Sequence, residues 1–197
     1  KDDNLASNLK KQFKEYKNIK IINKDALLFN YKRFDDESCK VIIIGNLPFN
    51  ISTRLISIWL SYKKWPSFFK KMILMFQKEV ADRIIAKHNS RKYGRLSVLV
   101  QSRCKVRKIL DAPSSIFYPK PKVSGTVISF EPINDFSEVD YEILGRLLEK
   151  AFSNRRKKIK NTLKEYREHL NKLEIDDNLR PENLSVLDYC NLVKLIS

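Results

Sequence analysis

The stretch Val41-Ile42-Ile43-Ile44-Gly45-Asn46-Leu47-Pro48-Phe49 joins a run typical of a buried β-strand to a short polar and aromatic motif. Ser52 and Thr53 follow it, and both are residue types that cap helices. Apolar residues at helical spacing come next. The sequence therefore predicts a strand-loop-helix unit, with a helix that starts at Ser52 or Thr53. The motif lies at the carboxyl end of the strand, where open α/β sheets usually bind ligands.

The motif offers the groups needed to bind a flat ring that bears an amine. The side chain of Asn46 and nearby carbonyls can accept hydrogen bonds from an exocyclic amine, while Phe49 can stack on the ring. A strand that simply ends at Pro48, with Asn46 in a turn, is the structural alternative. The surrounding strand and helix patterns favour the binding site.

The flanking segments extend the alternation of strands and helices. Leu5, Leu9, Phe13 and Tyr16 share one helix face, residues 19–22 and 72–76 are typical of strands, and residues 78–87 continue as a helix. This alternation predicts a parallel, doubly wound sheet. Residues 117–123 include Pro119 and Pro121, which stiffen a loop, and an apolar run follows over 126–130; this pattern predicts an antiparallel hairpin at one edge of the sheet.

The last third of the chain has a purely helical pattern. Residues 132–140 are polar and acidic and predict a linker. Helices are predicted over residues 141–152, 157–170 and 185–196. We therefore expect two domains, an α/β domain over residues 1–132 and a small helical domain over residues 133–197.

The charge indicates an anionic partner. The chain has 39 Lys and Arg residues against 23 Asp and Glu, a formal net charge of +16. All eight charged side chains between residues 87 and 110 are basic, namely Lys87, Arg91, Lys92, Arg95, Arg103, Lys105, Arg107 and Lys108. A second cluster, Arg155-Arg156-Lys157-Lys158, lies at a predicted helix start, where the helix dipole disfavours cations. A nucleic acid backbone would explain both clusters, and solvated surface charge is the alternative.

Other classes of site lack support in the sequence. Cys39, Cys104 and Cys190 are isolated, and His88 and His169 have no partner at metal-ligand spacing, so neither a disulfide framework nor a zinc site is expected. No apolar run approaches the roughly 18 to 20 residues that span a bilayer, and no signal-peptide pattern is present. We expect a soluble, cytoplasmic protein without a membrane or metal partner.

Five segments carry a resemblance to a known family. They are residues 45–53, 77–83, 93–98, 117–123 and 151–157, in that order. Together they resemble the ribosomal RNA adenine N6-dimethyltransferases, and most of all the bacterial type that modifies two adjacent adenosines near the 3′ end of small-subunit RNA. The resemblance implies a Rossmann-like class I methyltransferase sheet, a C-terminal helical domain, S-adenosylmethionine as cofactor and a role in ribosome biogenesis. The partner would be small-subunit ribosomal RNA or an immature small subunit, bound by a monomer.

The resemblance also implies roles for individual residues. Asn46, Leu47, Pro48 and Phe49 would form the catalytic corner, with Asn46 also contacting the cofactor beside Asp25 and Ala26. Phe49 and Phe117 would stack on the target adenine, and Arg155, Arg156, Lys157 and Lys158 would bind RNA. For Phe117 a core aromatic, and for Asp25 a turn residue, are the alternatives.

One part of the family pattern is not found. Gly45, Gly94, Gly125 and Gly145 are scattered and cannot form the glycine-rich cofactor loop of the family. We therefore expect the chain to lack the first two strands of the family sheet, which would leave an open apolar edge at residues 41–44. We expect this chain alone to bind S-adenosylmethionine weakly and to be inactive.

Three other functions are alternatives to the dimethyltransferase. A non-catalytic RNA-binding assembly factor would use the basic surfaces without chemistry. A large-subunit RNA adenine methylase of the macrolide-resistance type shares the catalytic corner. A DNA adenine methylase has proline where this chain has Leu47, which disfavours it.

Overall fold

The computed structural model describes residues 2–34 and 41–197. Its helices are α1 (Asp3–Gln12), α2 (Phe49–Leu60), α3 (Lys78–Ile84), α4 (Arg95–Gln101), α5 (Tyr141–Ala151), α6 (Ile159–Thr162), α7 (Arg167–Lys172) and α8 (Val186–Ile196). Its strands are β1 (Val41–Asn46), β2 (Phe69–Gln77), β3 (Cys104–Ala112) and β4 (Gly125–Pro132). Cys39 lies outside the described residues. Within them, no helix is long and apolar enough to cross a membrane.

The four strands form one mixed sheet in the order β1-β2-β4-β3. β1 and β2 are parallel and are joined through α2, whereas β4 is antiparallel to both β2 and β3. The predicted α/β class, the parallel crossover and the antiparallel hairpin are therefore confirmed. Helix α2 buries Leu55, Ile56 and Trp59 in the same core as Met72 and Leu74 of β2, so the apolar stripe of the helix covers one face of the sheet.

β1 forms an edge of the sheet within the described residues. It pairs only with β2, and the side chains of Ile42 and Ile44 are 56% and 76% exposed. The open apolar edge expected from the sequence is thus present. The predicted strand at residues 19–22 is wrong, because these residues form no strand and Ile19 and Ile22 are exposed. A strand needs a partner for its backbone groups, and no described strand lies beside this segment.

Helix α2 begins earlier than predicted. It starts at Phe49 rather than Ser52 or Thr53, after Pro48, whose side chain makes no capping hydrogen bond. Proline has a fixed φ and can precede a helix without the loss of an amide donor. Ser52 lies inside the first turn instead, and its hydroxyl donates to the Phe49 carbonyl at 3.1 Å.

The predicted helix over residues 157–170 is wrong as one continuous helix. It is divided into α6, a 3₁₀ turn at Lys164–Tyr166, and α7. The chain leaves helical geometry at Leu163, between α6 and the turn, where φ is −119° and ψ is 29°. The amides of Ile159 and Lys160, the first two residues of α6, donate to the carbonyls of Leu179 and Asp177 at 2.8 and 3.0 Å, so contacts with distant backbone fix where α6 begins. The basic residues 155–157 therefore lie in a turn before α6, and Lys158 is its N-cap.

A second hydrophobic core holds the C-terminal helices together. Leu144 and Leu148 of α5 pack with Leu192 of α8, and Tyr93 and Val98 from the α3-α4 region belong to the same cluster. Side chains from before residue 133 thus contribute to this core. The division into domains at residues 132 and 133 remains a prediction.

Candidate functional site

The Asn-Leu-Pro-Phe motif lines an open cleft of about 360 Å³. Asn46 is the last residue of β1 and is exposed, and its side-chain amide has no hydrogen bond to any described residue. Leu47 and Phe49 are half-buried. The complete lining is Asn46, Leu47, Pro48, Phe49, Met75, Phe117, Tyr118, Pro119 and Pro121. The motif is therefore accessible to a ligand and is not packed in the core.

The topology of the sheet explains how distant residues meet in this cleft. Asn46 pairs in register with Met75, because β1 and β2 are parallel and end at the same edge. The connection between β3 and β4, residues 113–124, brings Phe117 to that edge. Glycine at position 45 leaves room for the fold of the motif, since a Cβ there would lie 2.9 Å from Cδ2 of Leu47.

Among the described residues that line this cleft, none is a carboxylic acid, histidine, lysine or cysteine. Asp111 ends β3 at the same edge of the sheet, but its carboxylate is occupied by the Thr126 hydroxyl at 2.7 Å and by Lys108 at 3.0 Å. These two hydrogen bonds, together with the charges of Lys108 and Lys78, lower the pKa of Asp111 to about 2. Asp111 is thus a fixed anion at neutral pH and a poor candidate for a general base.

Asp25 and Ala26 are not part of the cleft lining. Asp25 is exposed, and its Oδ1 accepts the Leu27 amide at 2.8 Å, which is the geometry of an Asx turn. The Ala26 carbonyl accepts the Tyr31 hydroxyl at 2.9 Å. The structure thus contains the turn that was the alternative for Asp25. The cofactor-binding role of these two residues remains a prediction.

A second and larger cleft, of about 1040 Å³, combines the two basic clusters of the sequence. It lies between the residues that join α3 to α4 and the turn after α5, with a third side from residues 180–183. We call it the basic cleft. Its cationic side chains are Arg83, Arg91, Lys92, Arg95, Arg155, Arg156 and Arg180.

Arg103 is an exception to the basic run predicted to face nucleic acid. It is 4% exposed and lies between the rings of Trp65 and Tyr141, at 4.7 and 5.1 Å from their centroids. Burial lowers its pKa. Arg103 therefore packs between two segments of the protein and does not contribute to a nucleic acid surface.

Ion pairs separate the cations of the basic cleft into two groups. Four are paired with carboxylates, as Arg83–Glu79, Lys92–Asp82, Arg95–Glu149 and Arg155–Glu182. The side chains of Arg91, Arg156 and Arg180 have no such partner among residues 2–34 and 41–197. Sequence reasoning missed Arg180, because it stands alone in the chain and belongs to no basic cluster.

Arg155 ties two walls of the basic cleft together. Its Nε lies 3.4 Å from the Glu182 carboxylate, and its Nη2 donates to the Ser90 carbonyl at 3.2 Å. The Asn89 amide donates to the Glu182 carbonyl at 2.7 Å in the same contact. Lys157 and Lys158 do not line this cleft. Arg155 is therefore placed to hold the shape of the cleft, whereas the Arg156 guanidinium has no ion pair within the described part of the chain.

Glu182→Gln tests this role of Arg155. We expect the free energy of unfolding to fall by up to about 1 kcal/mol, the contribution of a partly exposed ion pair. Glu168→Gln, which removes an exposed charge elsewhere, is the matched control, and both stabilities can be measured by urea denaturation. An unchanged stability for Glu182→Gln relative to this control would mean that the Arg155–Glu182 pair does not hold the walls of the cleft together.

Comparison with known proteins agrees with this geometry. The family model for ribosomal RNA adenine dimethylases matches residues 1–197. The ribosomal RNA small subunit methyltransferase A of Pelagibacter ubique (strain HTCC1062) is 41% identical over 199 residues, which cover 98% of this chain and 74% of that protein. The protein of the same name from Ehrlichia chaffeensis (strain ATCC CRL-10679 / Arkansas) is 39% identical, over 100% of this chain and 75% of the relative.

Two solved structures share the fold. A dimethyladenosine transferase from Plasmodium falciparum superposes with a TM-score of 0.81 and 26% identity, over 99% of this chain and 79% of the other. The 23S rRNA methyltransferase ErmE superposes with a TM-score of 0.63 and 17% identity, over 98% and 79% of the two chains, a likeness of fold alone. The architecture is that of the Rossmann-like methyltransferases.

More narrowly, the chain belongs to the ribosomal RNA adenine dimethylase family. The resemblance found in the sequence is therefore confirmed, and so is the class of enzyme, a methyltransferase. The roles of the individual site residues remain predictions.

Proposed function

We propose that this protein transfers methyl groups from S-adenosylmethionine to N6 of two adjacent adenosines near the 3′ end of small-subunit ribosomal RNA. One observation carries the proposal. Asn46 has an exposed amide at the carboxyl end of β1 that makes no hydrogen bond to the described residues, and it lines one cleft with Phe49 and Phe117. That combination suits an adenine withdrawn from its helix, with polar acceptors at its edge and aromatic rings near its faces.

The chain's own residues would act on the nitrogen that attacks. The N6 amine of adenine is a weak nucleophile, because its lone pair is delocalised into the ring. The Asn46 side-chain oxygen and the Leu47 carbonyl would accept its two N–H groups and favour a pyramidal nitrogen with a directed lone pair. Phe49 and Phe117 would hold the ring by stacking, each at about 1 to 3 kcal/mol.

The cofactor supplies a methyl group on a positively charged sulfur. Asn46 lies where it could contact both cofactor and adenine, and we propose Asp25 and Ala26 as further cofactor contacts. The described lining of the cleft offers no carboxylate or histidine as a base, and the proposed mechanism does not require one. The product nitrogen is acidic enough to release its proton to solvent.

The basic cleft would bind the RNA backbone. Arg91, Arg156 and Arg180 provide three cations that have no carboxylate partner among the described residues, as a phosphate-binding surface requires. We propose an immature small ribosomal subunit as the natural substrate, a monomeric enzyme, and a place in ribosome biogenesis. In bacteria, that substrate would place the protein in the cytoplasm.

Phe49→Ala should separate stacking from cofactor binding. We expect methyl transfer to fall about 10- to 100-fold from the loss of one stacking platform, with little change in affinity for S-adenosylmethionine. Calorimetry and a tritiated-methyl assay measure the two quantities. Phe49→Tyr keeps the ring and should retain activity, and equal losses in activity and cofactor affinity for Phe49→Ala would contradict the stacking role.

Transfer of tritiated methyl groups to immature small subunits tests the proposed function as a whole. The protein should be expressed with any residues that its gene encodes upstream of Lys1. Incorporation of N6,N6-dimethyladenosine supports the proposal. Tight binding to the particles without incorporation would favour the non-catalytic assembly factor.

A further inference from the structure

The connection between β3 and β4 carries an unusual set of exposed side chains. Tyr118 is fully exposed, at 102% of its reference area, and Ile116 and Val123 are 65% and 43% exposed. Lys120 and Lys122 are also exposed, and neither ammonium has an ion pair among the described residues. An aromatic ring beside unpaired cations is the combination with which proteins bind single-stranded nucleic acid.

Tyr118 lies at the proposed adenine site without filling it. It lines the same cleft as Asn46 and Phe49, beside Phe117. Phe117 is half-buried and has extended backbone angles, φ −103° and ψ 146°. Because neighbouring side chains in extended backbone point to opposite sides, Phe117 can face the cleft while Tyr118 stands at its mouth.

Nothing in the fold requires an aromatic residue at position 118. Within the described part of the chain, the Tyr118 ring makes no aromatic contact and its hydroxyl makes no hydrogen bond. The backbone around it is restricted, since Pro113, Pro119 and Pro121 each fix a φ angle. The ring is thus carried by a restricted backbone and is accessible to an external partner.

We propose that Tyr118 stacks on the base adjacent to the target adenine, and that Lys120 and Lys122 contact the phosphates of the same strand. The proposal rests on the proposed function, because it takes the adenine in the Asn46 cleft as its reference point. It adds a second nucleotide site, which would position the RNA strand on either side of the withdrawn base.

A set of abasic RNAs tests the stacking role. The probe is a decauridylate with one central adenosine, compared with versions that lack the central base, the 5′ neighbouring base or the 3′ neighbouring base. Binding is followed by fluorescence anisotropy. We expect removal of one neighbouring base to weaken binding to the unmodified protein about 10-fold, from a stacking energy of about 1 to 3 kcal/mol. Tyr118→Phe should keep this difference and Tyr118→Leu should abolish it.

The outcomes distinguish this proposal from the proposed function. Equal binding of all neighbour variants, or a difference that survives in Tyr118→Leu, overturns the role of Tyr118. Sensitivity to the central base alone overturns only the second nucleotide site. Insensitivity to the central base counts against the adenine cleft itself. Tyr118 is exposed, so its substitution should leave the thermal midpoint of unfolding unchanged.

The lysines are tested through salt dependence. Lys120→Gln combined with Lys122→Gln should reduce the slope of log affinity against log salt by about 1.4, the value for two phosphate contacts on a single strand. Lys17→Gln with Lys20→Gln, two exposed lysines outside either cleft, is the matched control. An equal slope in the two double variants overturns the phosphate contacts.

Discussion

Replacing Asn46 with alanine, in the protein expressed with any residues that its gene encodes upstream of Lys1, should lower the rate of methyl transfer about 100- to 1,000-fold, the loss typical of a polar group that acts on the reacting atom. Asn46 is exposed and its side chain makes no hydrogen bond to the described residues, so its removal should not unfold the protein. RNA affinity should stay nearly the same, because the basic cleft does not include Asn46. Single-turnover methyl transfer and filter binding measure the two effects.

Asn171→Ala is the matched control for this experiment. Asn171 is exposed on α7 and lines neither cleft, so its removal should leave both quantities unchanged. If Asn46→Ala kept most of the activity, the hydrogen bonds to N6 would have to come from other groups.

Neutralising Arg91, Arg156 and Arg180 together should weaken RNA binding about 100-fold at 0.1 M salt. Each phosphate contact contributes roughly 0.7 to 0.9 to the slope of log affinity against log salt, so the slope should fall by about 2 to 3. These three side chains have no carboxylate partner in the described residues, so glutamine at these positions breaks no ion pair. The rate of methyl transfer at saturating RNA should change little.

A control triple variant separates local contacts from net charge. Lys10→Gln, Lys11→Gln and Lys14→Gln remove the same charge from exposed positions in and beside α1. We expect this variant to bind RNA nearly as well as the unmodified protein. Equal losses in both triple variants would show that only the total charge matters, and the basic cleft would then have no specific role.

Several elements of the fold could be predicted because their signals are local. The apolar run before Asn46 predicted β1, and the apolar run at 72–76 predicted β2. The strand at residues 19–22 and the continuous helix at 157–170 were wrong. Whether a short apolar segment forms a strand, and where a helix begins, depends on partners that are distant in the chain, such as Asp177 and Leu179 for the amides of Lys160 and Ile159 at the start of α6.

The candidate site likewise has a part that local sequence predicts and a part that depends on the fold. Asn46, Leu47, Pro48 and Phe49 are consecutive, so the sequence by itself determined their chemistry and their place at the end of a strand. Phe117 was predicted from resemblance, and the chain connection over the sheet edge brings it to the same cleft. Asp25 and Ala26 were predicted as part of this site, but they lie in a separate turn.

The sequence alone determined the excess of cations and the polar and aromatic motif at the end of β1, because both depend on residue type and on neighbours in the chain. Only the tertiary structure decided which cations are free to bind phosphate. Arg155 and Arg156 are adjacent in sequence, yet only Arg155 has a carboxylate, Glu182, folded against it. An ion pair forms where folding brings opposite charges within a few ångströms. That distance depends on the tertiary structure and cannot be read from the order of the residues.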